Sequence, residues 1–322
     1  MMTGVILLNL GGPDSLQAVK PFLYNLFSDR EIIRLGPAPM QKPLAWLIST
    51  LRSPKTEKMY SQIGGKSPIL DITQAQAKAL EEALNEQSDS PHSFRVYTGM
   101  RYWRPFTEEV VEQISKDGIT KVIGLSLYPQ YSVTTSGSSI AQLKKAASRH
   151  NMEIITVDSW HNHPLYIEAL VDVIKNGLAS FGSGSNPHVL FSAHSLPQKI
   201  IDQGDPYVDQ TVGTIREVEK LLPMTWHLSY QSKSGPVKWL EPSTEEKLEE
   251  LSRNGVKDLL VVPISFVSDH IETLYEIDIL YKDLAKKLSI NLKRTEALNT
   301  HPKFIEALKD IVIERFKKSG EN

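Results

Sequence analysis

Short runs of valine, isoleucine and leucine alternate with helix-patterned segments along the whole chain. The predicted strands are Gly4–Asn9, Arg95–Gly99, Val122–Leu127, Ile154–Val157, His188–Ala193, Thr225–Ser229, Leu259–Pro263 and Ile290–Lys293. The predicted helices are Leu16–Phe27, Ile72–Asn85, Thr107–Lys116, Ile140–Ser148, Pro164–Phe181, Tyr207–Leu222, Thr244–Arg253, Ile271–Leu288 and Pro302–Lys317. Because continuous apolar strands are buried on both faces, the alternation predicts parallel sheets covered by helices.

The chain also resembles a duplicate of itself. Val5–Pro13 aligns without gaps on Val189–Pro197, and Lys116–Leu125 aligns on Arg253–Val262. The identities are few, but the matching segments follow one another in the same order. This predicts two similar doubly wound, Rossmann-like lobes, each a mostly parallel sheet flanked by helices. Ligands of such sheets bind beyond the carboxyl ends of the strands, so we expect the active-site cleft between the two lobes.

Length and composition fit this division. The chain has 322 residues and 40% hydrophobic content, which is enough for two lobes. We assign residues 1–130 plus 296–322 to an N-terminal lobe, with an apolar segment at 35–55, and residues 131–295 to a C-terminal lobe. The formal net charge of -2 argues against a nucleic-acid partner, which requires a basic surface.

Cysteine is absent from the sequence. This excludes disulfides, a thiolate nucleophile and a cysteine-ligated iron–sulfur cluster. The N-terminal apolar run lacks a basic region and stops at Gly11-Gly12-Pro13, so we read a first strand and not a signal peptide. No apolar window approaches the roughly 18 residues of a membrane helix. We therefore expect a cytoplasmic protein.

Four carboxylates and one imidazole crowd Asp269–Asp278, just past a predicted strand. One interpretation is a helix start, in which Glu272 closes a capping box on Asp269. That interpretation does not explain Glu276, because like charges four residues apart destabilise a helix. Asp269, Glu272 and Glu276 would fall on one stripe. The stripe indicates an acid–base site or a cation path, and His270 adds a group that titrates near neutrality.

Polar residues follow other predicted strands in the same way. His194 and Ser195 come directly after the predicted strand Val189–Ala193. The His194 imidazole could either hydrogen-bond a neighbouring carbonyl or belong to an active site. A Ser–His hydrolase is disfavoured, because no G-x-S-x-G motif occurs. After Thr225–Ser229, the segment Tyr230–Pro242 suits either an ordinary turn with a buried tryptophan or the binding of a flat ligand that carries carboxylates.

Two segments of the first half carry further candidates. Arg101 and Arg104 lie among aromatics in MRYWRP, where arginine could clamp an anion or form a surface ion pair. The segment Leu35–Lys55 is proline-rich and apolar and ends in Arg52 and Lys55. It could be a lid on an apolar ligand, a peripheral membrane contact through 35–51, or a satellite core under a long loop.

Taken together, the motifs resemble the ferrochelatase family, whose members insert ferrous iron into a porphyrin. The motifs that carry the resemblance are LNLGGP, RSPK, IGGKSPI, MRYW, YPQYS, SAHSLP, GDPY, QSKSGPVKWL and SFVSDHIETLYEID, in family order over nearly the whole chain. The forms LNLGGP and QSK are closer to the branch that uses protoporphyrin than to the branch that uses coproporphyrin.

The resemblance implies roles for individual residues. His194 matches the active-site histidine, Glu272 the glutamate opposite it, and His270 a second active-site histidine. Metal contacts are implied for His194, Glu272 and Glu276. Residues that match porphyrin-binding positions are Arg52, Lys55, Arg101, Tyr102, Ser232, Trp239 and Phe266. Some members carry a further glutamate one turn past Glu276, where this chain has Leu280, so the acidic ridge is shorter here.

The resemblance thus implies insertion of Fe²⁺ into protoporphyrin IX, with both as substrates and no cofactor. His194 would take pyrrole protons while Glu272 and His270 handle the iron, or these roles would be reversed. The alternatives are a chelatase for another tetrapyrrole, acting on coproporphyrin III or inserting cobalt or nickel, and a haem or metal carrier without turnover. The sequence does not predict the oligomeric state.

Overall fold

The computed structural model describes residues 2–86 and 92–320, which divide into two compact units. The first unit runs from the first described residue to Tyr128 and includes Ser132–Trp160 and the chain from Ile305 onward. The second unit consists of Pro129–Tyr131 and His161–Phe304.

Each unit is built on a four-stranded parallel sheet. The strands are β1 Met2–Asn9, β2 Ser93–Met100, β3 Lys121–Ser126, β4 Glu153–Val157, β5 His188–His194, β6 Trp226–Gln231, β7 Asp258–Pro263 and β8 Asn291–Arg294. The first sheet has the order β2-β1-β3-β4, and the second has the corresponding order β6-β5-β7-β8. The central strands are buried on both faces, which explains why they read as continuous apolar runs.

Helices flank both sheets. They are α1 Val19–Ser28, α2 Gln41–Ser61, α3 Ile69–Asn85, α4 Thr107–Lys116, α5 Ser138–Ala147, α6 Pro164–Ala179, α7 Gln198–Asp202, α8 Tyr207–Leu221, α9 Thr244–Arg253, α10 Lys282–Lys287 and α11 Pro302–Lys318. In the second unit, Leu248 and Leu251 of α9 pack with Leu190 and Val261 of the sheet in one buried cluster. The two-lobed, Rossmann-like α/β prediction is confirmed.

The observed division between the units differs from the predicted boundary at residue 130. Residues 132–160 belong to the first unit because β4 pairs in parallel with β3, with Ile123 opposite Ile155. Near the other end, the first unit resumes at Ile305 and not at residue 296. The fourth strand of the first sheet was therefore assigned to the wrong lobe.

The segment 35–55 holds most of a helix that the sequence pattern does not predict. Proline normally ends a helix, yet α2 contains Pro43 in its first turn, where no hydrogen bond is lost, and Pro54 in its interior. Trp46 and Leu51 are 57% and 71% exposed on α2, and the membrane contact of 35–51 stays a prediction. Across residues 2–86 and 92–320, no helix is long and apolar enough to cross a bilayer.

The predicted helix Ile271–Leu288 has two parts. A π-helix spans Glu272–Tyr281 and runs directly into α10. Such wide turns are rare and occur often at functional sites. This one carries the acidic residues that the sequence analysis singled out.

Candidate active site

Three strand ends deliver the candidate site of the second unit. His194 is the last residue of β5, and Gln231 is the last residue of β6, followed by Ser232. The strand β7 ends at Pro263, and the loop after it carries Phe266 and His270. Because the strands are parallel, these residues meet at the carboxyl edge of one sheet, where doubly wound sheets bind their ligands.

His194 and Glu272 form the central contact. The Nδ1 atom of His194 lies 2.9 Å from Oε2 of Glu272, with the side chains 33% and 13% exposed. Burial lowers the pKa of His194, but the charge of Glu272 and its hydrogen bond outweigh burial, so the pKa is raised. Burial raises the pKa of Glu272, and the same partnership reverses this, so that pKa is lowered. The pair therefore favours an imidazole that accepts a proton beside an ionised carboxylate.

The backbone of His194 is fixed by two neighbours. Its N–H donates to Ser265 Oγ at 3.2 Å, and its carbonyl accepts from the Tyr207 hydroxyl at 2.9 Å. The Tyr207 and Ser265 hydroxyl oxygens are 2.6 Å apart. Tyr207, the tyrosine of the GDPY motif, is not among the predicted site residues. Its position outside the strand ends gave no local signal of this contact.

Ser232 joins the two glutamates of the π-helix. Its Oγ lies 2.6 Å from Oε2 of Glu272 and 2.6 Å from Oε2 of Glu276. A serine hydroxyl has one proton to donate, so one of the two carboxyls must carry the second proton. Burial and the charge of Glu272 raise the pKa of Glu276 to about 8. Glu276 is therefore the protonated member of the pair at neutral pH.

His270 is held in one tautomer. Its Nδ1 lies 3.0 Å from the carbonyl of Ser268, and because a carbonyl only accepts, Nδ1 carries the hydrogen. Burial lowers the pKa of His270, which is only 5% exposed. Its Nε2, free of hydrogen in the neutral ring, lies 3.9 Å from Oε1 of Glu272. The Phe266 ring packs edge-on against it at 4.3 Å between centroids.

Asp269 and Asp278 serve a different partner. Arg294 of β8 donates to both carboxylate oxygens of Asp278, at 2.9 and 2.8 Å, and to Oδ1 of Asp269 at 3.0 Å. The prediction that Asp269 shares a stripe with Glu272 and Glu276 is therefore wrong. The capping box is wrong as well, because the Glu272 side chain bonds His194 and Ser232. Arg294 lies 16 positions beyond Asp278, outside the segment whose pattern was interpreted.

Gln231 also escapes the predicted set of site residues. Its Nε2 donates to the backbone carbonyl of Glu272 at 3.0 Å and to Oε2 of Glu276 at 3.2 Å. Its place directly before Ser232 was the available signal. In the part of the chain that the structure describes, no group of three or more histidine and acidic side chains is spaced to hold a metal ion. Hydrogen bonds from His194, Ser232 and Gln231 occupy carboxylate oxygens of both glutamates.

The two predicted aromatic residues, Phe266 and Trp239, lie on the segments that surround His194. Phe266 faces the His194 ring at 6.1 Å between centroids. Trp239 is half-buried, and its backbone pairs with Pro197, three residues after His194. Both are placed to present apolar surface on the chain segments that carry the site.

The remaining predicted residues belong to the first unit. Arg101 donates to Asp29 at 2.6 Å and to Glu31 at 3.0 Å, and the Tyr102 hydroxyl donates to Asp29 at 2.7 Å. Tyr102 is only 3% exposed, so these two residues form an internal network. Exposed positions on α2 hold Arg52 and Lys55, and the Arg52 guanidinium lies 5.4 Å from the Phe27 ring centroid.

Comparison with known proteins gives a consistent result. The family model for ferrochelatase matches residues 2–316. A ferrochelatase from Geotalea uraniireducens (strain Rf4) is 53% identical over 314 residues, which cover 96% of this chain and 97% of that protein. A ferrochelatase from Geobacter metallireducens (strain ATCC 53774 / DSM 7210 / GS-15) is also 53% identical over 314 residues, with the same coverage of 96% and 97%.

Solved structures agree at the level of the fold. SirB from Bacillus subtilis with Fe3+ matches with a TM-score of 0.56 and 14% identity, over 98% of this chain and 96% of that chain. The sirohydrochlorin chelatase SirB from Bacillus subtilis subspecies spizizenii in complex with cobalt matches with a TM-score of 0.56 and 15% identity, over 98% and 95%. At such identities the likeness shows the fold alone.

Proposed function

The chain belongs to the ferrochelatase family, and on that premise we propose that it inserts ferrous iron into protoporphyrin IX to form protohaem. Metal insertion into a porphyrin is the activity that its relatives carry in their name. The observation that carries our assignment of residues is the 2.9 Å contact between His194 Nδ1 and Glu272 Oε2 at the carboxyl edge of the second sheet.

The reaction makes three chemical demands. A free-base porphyrin holds two pyrrole protons in a flat ring, and both must leave before the metal can occupy the centre. Ferrous iron arrives hydrated and must lose its water stepwise. The ring must also bend, so that nitrogen lone pairs point out of its plane, and binding contacts remote from the centre supply that strain.

His194 is the proposed base. Its Nδ1 donates to Glu272, so the neutral ring presents the lone pair of Nε2 to the porphyrin. When Nε2 takes a pyrrole proton, the imidazolium forms beside an ionised carboxylate that is already in contact with it. The raised pKa of His194 expresses the same stabilisation. Proton transfer to His194 therefore needs no rearrangement of Glu272.

Glu272 and His270 are the proposed handlers of the iron substrate. Histidine nitrogen and carboxylate oxygen bind Zn²⁺ at about 2.0–2.2 Å in a tetrahedral arrangement, which places two ligand atoms about 3.4 Å apart. Nε2 of His270 and Oε1 of Glu272 are 3.9 Å apart, so a small movement of either side chain would bring both onto one cation. Glu276 would be the next carboxylate along the path. In the reverse division, His194 binds the iron and Glu272 accepts the protons.

The porphyrin would be held by apolar and cationic groups together. We propose that Phe266 and Trp239 pack against the ring and that Arg52 and Lys55 bind its propionates. Arg101 and Tyr102 would act through the network that they form with Asp29. Ser232 suits a different role from propionate binding, because its hydroxyl already contacts two glutamates, and the ionised Glu272 would repel another anion.

A turnover assay tests this proposal and separates it from its alternatives. Protein at substoichiometric concentration is mixed with Zn²⁺ and protoporphyrin IX, product fluorescence is followed, and the assay is repeated anaerobically with Fe²⁺. We expect many product molecules per protein molecule, and faster turnover with protoporphyrin IX than with coproporphyrin III. Formation of no more than one equivalent would identify a carrier, and preference for cobalt, nickel or coproporphyrin III would identify a different chelatase.

A further inference from the structure

Gln231 connects the strand that carries His194 to the helix that carries the two glutamates. Gln231 is the last residue of β6, and the whole residue is only 1% exposed. The Nε2 atom donates to the Glu272 carbonyl at 3.0 Å and to Glu276 Oε2 at 3.2 Å. One amide therefore touches both the backbone and a side chain of the π-helix.

The orientation of that amide follows from its partners. The Glu272 carbonyl can only accept, so the nitrogen of the Gln231 amide must face the π-helix. Its oxygen then faces Ser192 of β5, whose hydroxyl donates to Oε1 of Gln231 at 2.6 Å. Ser192 is fully buried and lies two residues before His194 on the same strand. A continuous link thus runs from the His194 strand through Ser192 and Gln231 to Glu272 and Glu276.

We propose that Gln231, oriented by Ser192, is a positioning residue of the insertion reaction, which holds the π-helix at the distance where Glu272 meets His194. The inference rests on the function proposed above. Gln231 is almost fully buried and is assigned no contact with porphyrin or metal. It acts because a displacement of about 1 Å in a reacting group can cost about 10²-fold in rate.

Loss of the Gln231 amide would let the π-helix shift, while His194 and both glutamates would still be present. Gln231→Met keeps the unbranched shape of the side chain but offers no donor to the Glu272 carbonyl or to Glu276. The buried acceptors are then left without their partner, and the helix can shift to satisfy them. We expect kcat for Zn²⁺ insertion to fall at least about tenfold and the KM for Zn²⁺ to rise, with the KM for porphyrin unchanged.

Ser192 and Ser229 supply a graded variant and a matched control. Ser192→Ala removes the donor that orients the Gln231 amide, so we expect a smaller loss of kcat, about threefold. Ser229 lies on β6 with the same burial, and its hydroxyl lies 3.0 Å from Thr244 Oγ1, which is also 3.2 Å from Ser192 Oγ. Ser229→Ala removes a buried hydroxyl of the same kind but leaves the direct hydrogen bond from Ser192 to Gln231 in place, so kcat and both KM values should stay unchanged.

The experiment compares kcat, both KM values and the melting temperature across the full-length variants. A lower kcat and a higher KM for Zn²⁺ in Gln231→Met, with a smaller fall of kcat in Ser192→Ala, an unchanged porphyrin KM and an unaffected Ser229→Ala, support the inference. Wild-type constants in Gln231→Met overturn it, and so does a loss in all three variants that parallels their melting temperatures. If Gln231→Met does not fold, Ser192→Ala decides by the same criteria.

A further variant separates failure of this inference from failure of the proposed function. If Glu272→Gln is inactive while Gln231→Met has wild-type constants, only the positioning role is lost. If Glu272→Gln itself turns over normally, the proposed function of the pair fails, and the positioning role fails with it.

Discussion

The two lobes share a backbone plan and differ in the chemistry placed on it. Both sheets have four parallel strands in the corresponding order, and in both a π-helical turn follows the third strand in chain order. In the first lobe this turn spans Val133–Gly137, and in the second it spans Glu272–Tyr281. The wide turn therefore belongs to the repeated fold and is not peculiar to the lobe with the candidate active site.

The side chains at matching positions are of different kinds. The alignment of Val5–Pro13 on Val189–Pro197 places Leu10 opposite His194. The second alignment, continued without a gap, places Thr135 opposite Glu272. Hydroxyl groups dominate the turn of the first lobe, and Ser136 Oγ lies 3.0 Å from Ser126 Oγ. The two lobes therefore share a fold but not a chemistry, because reactivity depends on a few side chains that differ between them.

The largest expected effect comes from removing the pair that the first lobe lacks at these positions. His194→Ala and Glu272→Gln should each reduce insertion by about 10²- to 10⁴-fold, the usual contribution of a general acid or base. Porphyrin binding, followed by quenching of porphyrin fluorescence, should stay measurable in both variants. The first-lobe control is Thr135→Ala, which should retain full activity. Near-normal turnover in either second-lobe variant would break the comparison.

The next effect concerns the acidic residues that turn away from the site. Arg294 is 11% exposed between Asp269 and Asp278, and Arg294→Met would leave both carboxylates without this partner. Breaking such a pair costs about 3 kcal/mol of unfolding free energy, which denaturant melts would measure. Insertion activity per folded molecule should persist. That result would show that Asp269 and Asp278 stabilise the fold and take no part in the reaction.

Lys303 offers a matched control in the same unit. It is 43% exposed and pairs with Asp172 at 2.8 Å, so Lys303→Met should change the unfolding free energy little. Equal losses of stability in the two variants would show that burial of Arg294 has no special importance.

A smaller effect is a change in how stability depends on pH. Folding raises the pKa of Glu276 from 4.5 to about 8, so between these values the folded state keeps a proton that the unfolded chain releases. Stability from this group is therefore present below pH 4.5 and is lost as pH rises toward 8. Glu276→Gln removes that loss. The melting temperature of the variant minus that of the wild type should increase by a few degrees between about pH 5.5 and about pH 8.5. A constant difference across this range would contradict the pKa shift.

The smallest effect tests the short acidic ridge. Leu280 is 45% exposed on the π-helix, so Leu280→Glu should be tolerated by the fold. An added carboxylate should lower the KM for Fe²⁺ about two- to threefold through electrostatic attraction and leave the porphyrin KM unchanged. An unchanged iron dependence would exclude a role for this position in metal delivery.

Sequence patterns predicted the fold better than the site. All eight predicted strands occur, and the four central strands β1, β3, β5 and β7 have the strongest local signature because they are buried on both faces. Helix α2 was missed because Pro43 and Pro54 normally argue against a helix. The split of the acidic cluster depends on Arg294 and on the π-helical geometry, and neither is encoded in spacing along Asp269–Asp278.

The residues that local patterns missed share one physical feature. Gln231, Ser192 and Tyr207 act through hydrogen bonds to residues on other elements. The separation along the chain runs from 13 positions, between Tyr207 and His194, to 58 positions, between Tyr207 and Ser265. A buried polar side chain must find a hydrogen-bond partner, and that partner is set by the tertiary fold and not by the neighbouring sequence. Strand ends gave a usable signal because parallel sheets gather them at one edge.

The central claim is that His194 and Glu272 act as one unit, and a double-variant cycle tests it most directly. Single-turnover insertion of Zn²⁺ is measured for His194→Ala, Glu272→Gln and the double variant at saturating porphyrin. If the two side chains work through their shared hydrogen bond, the double variant should be no slower than the slower single variant. Losses that multiply, so that the double variant falls by the product of the two single effects, would contradict the account.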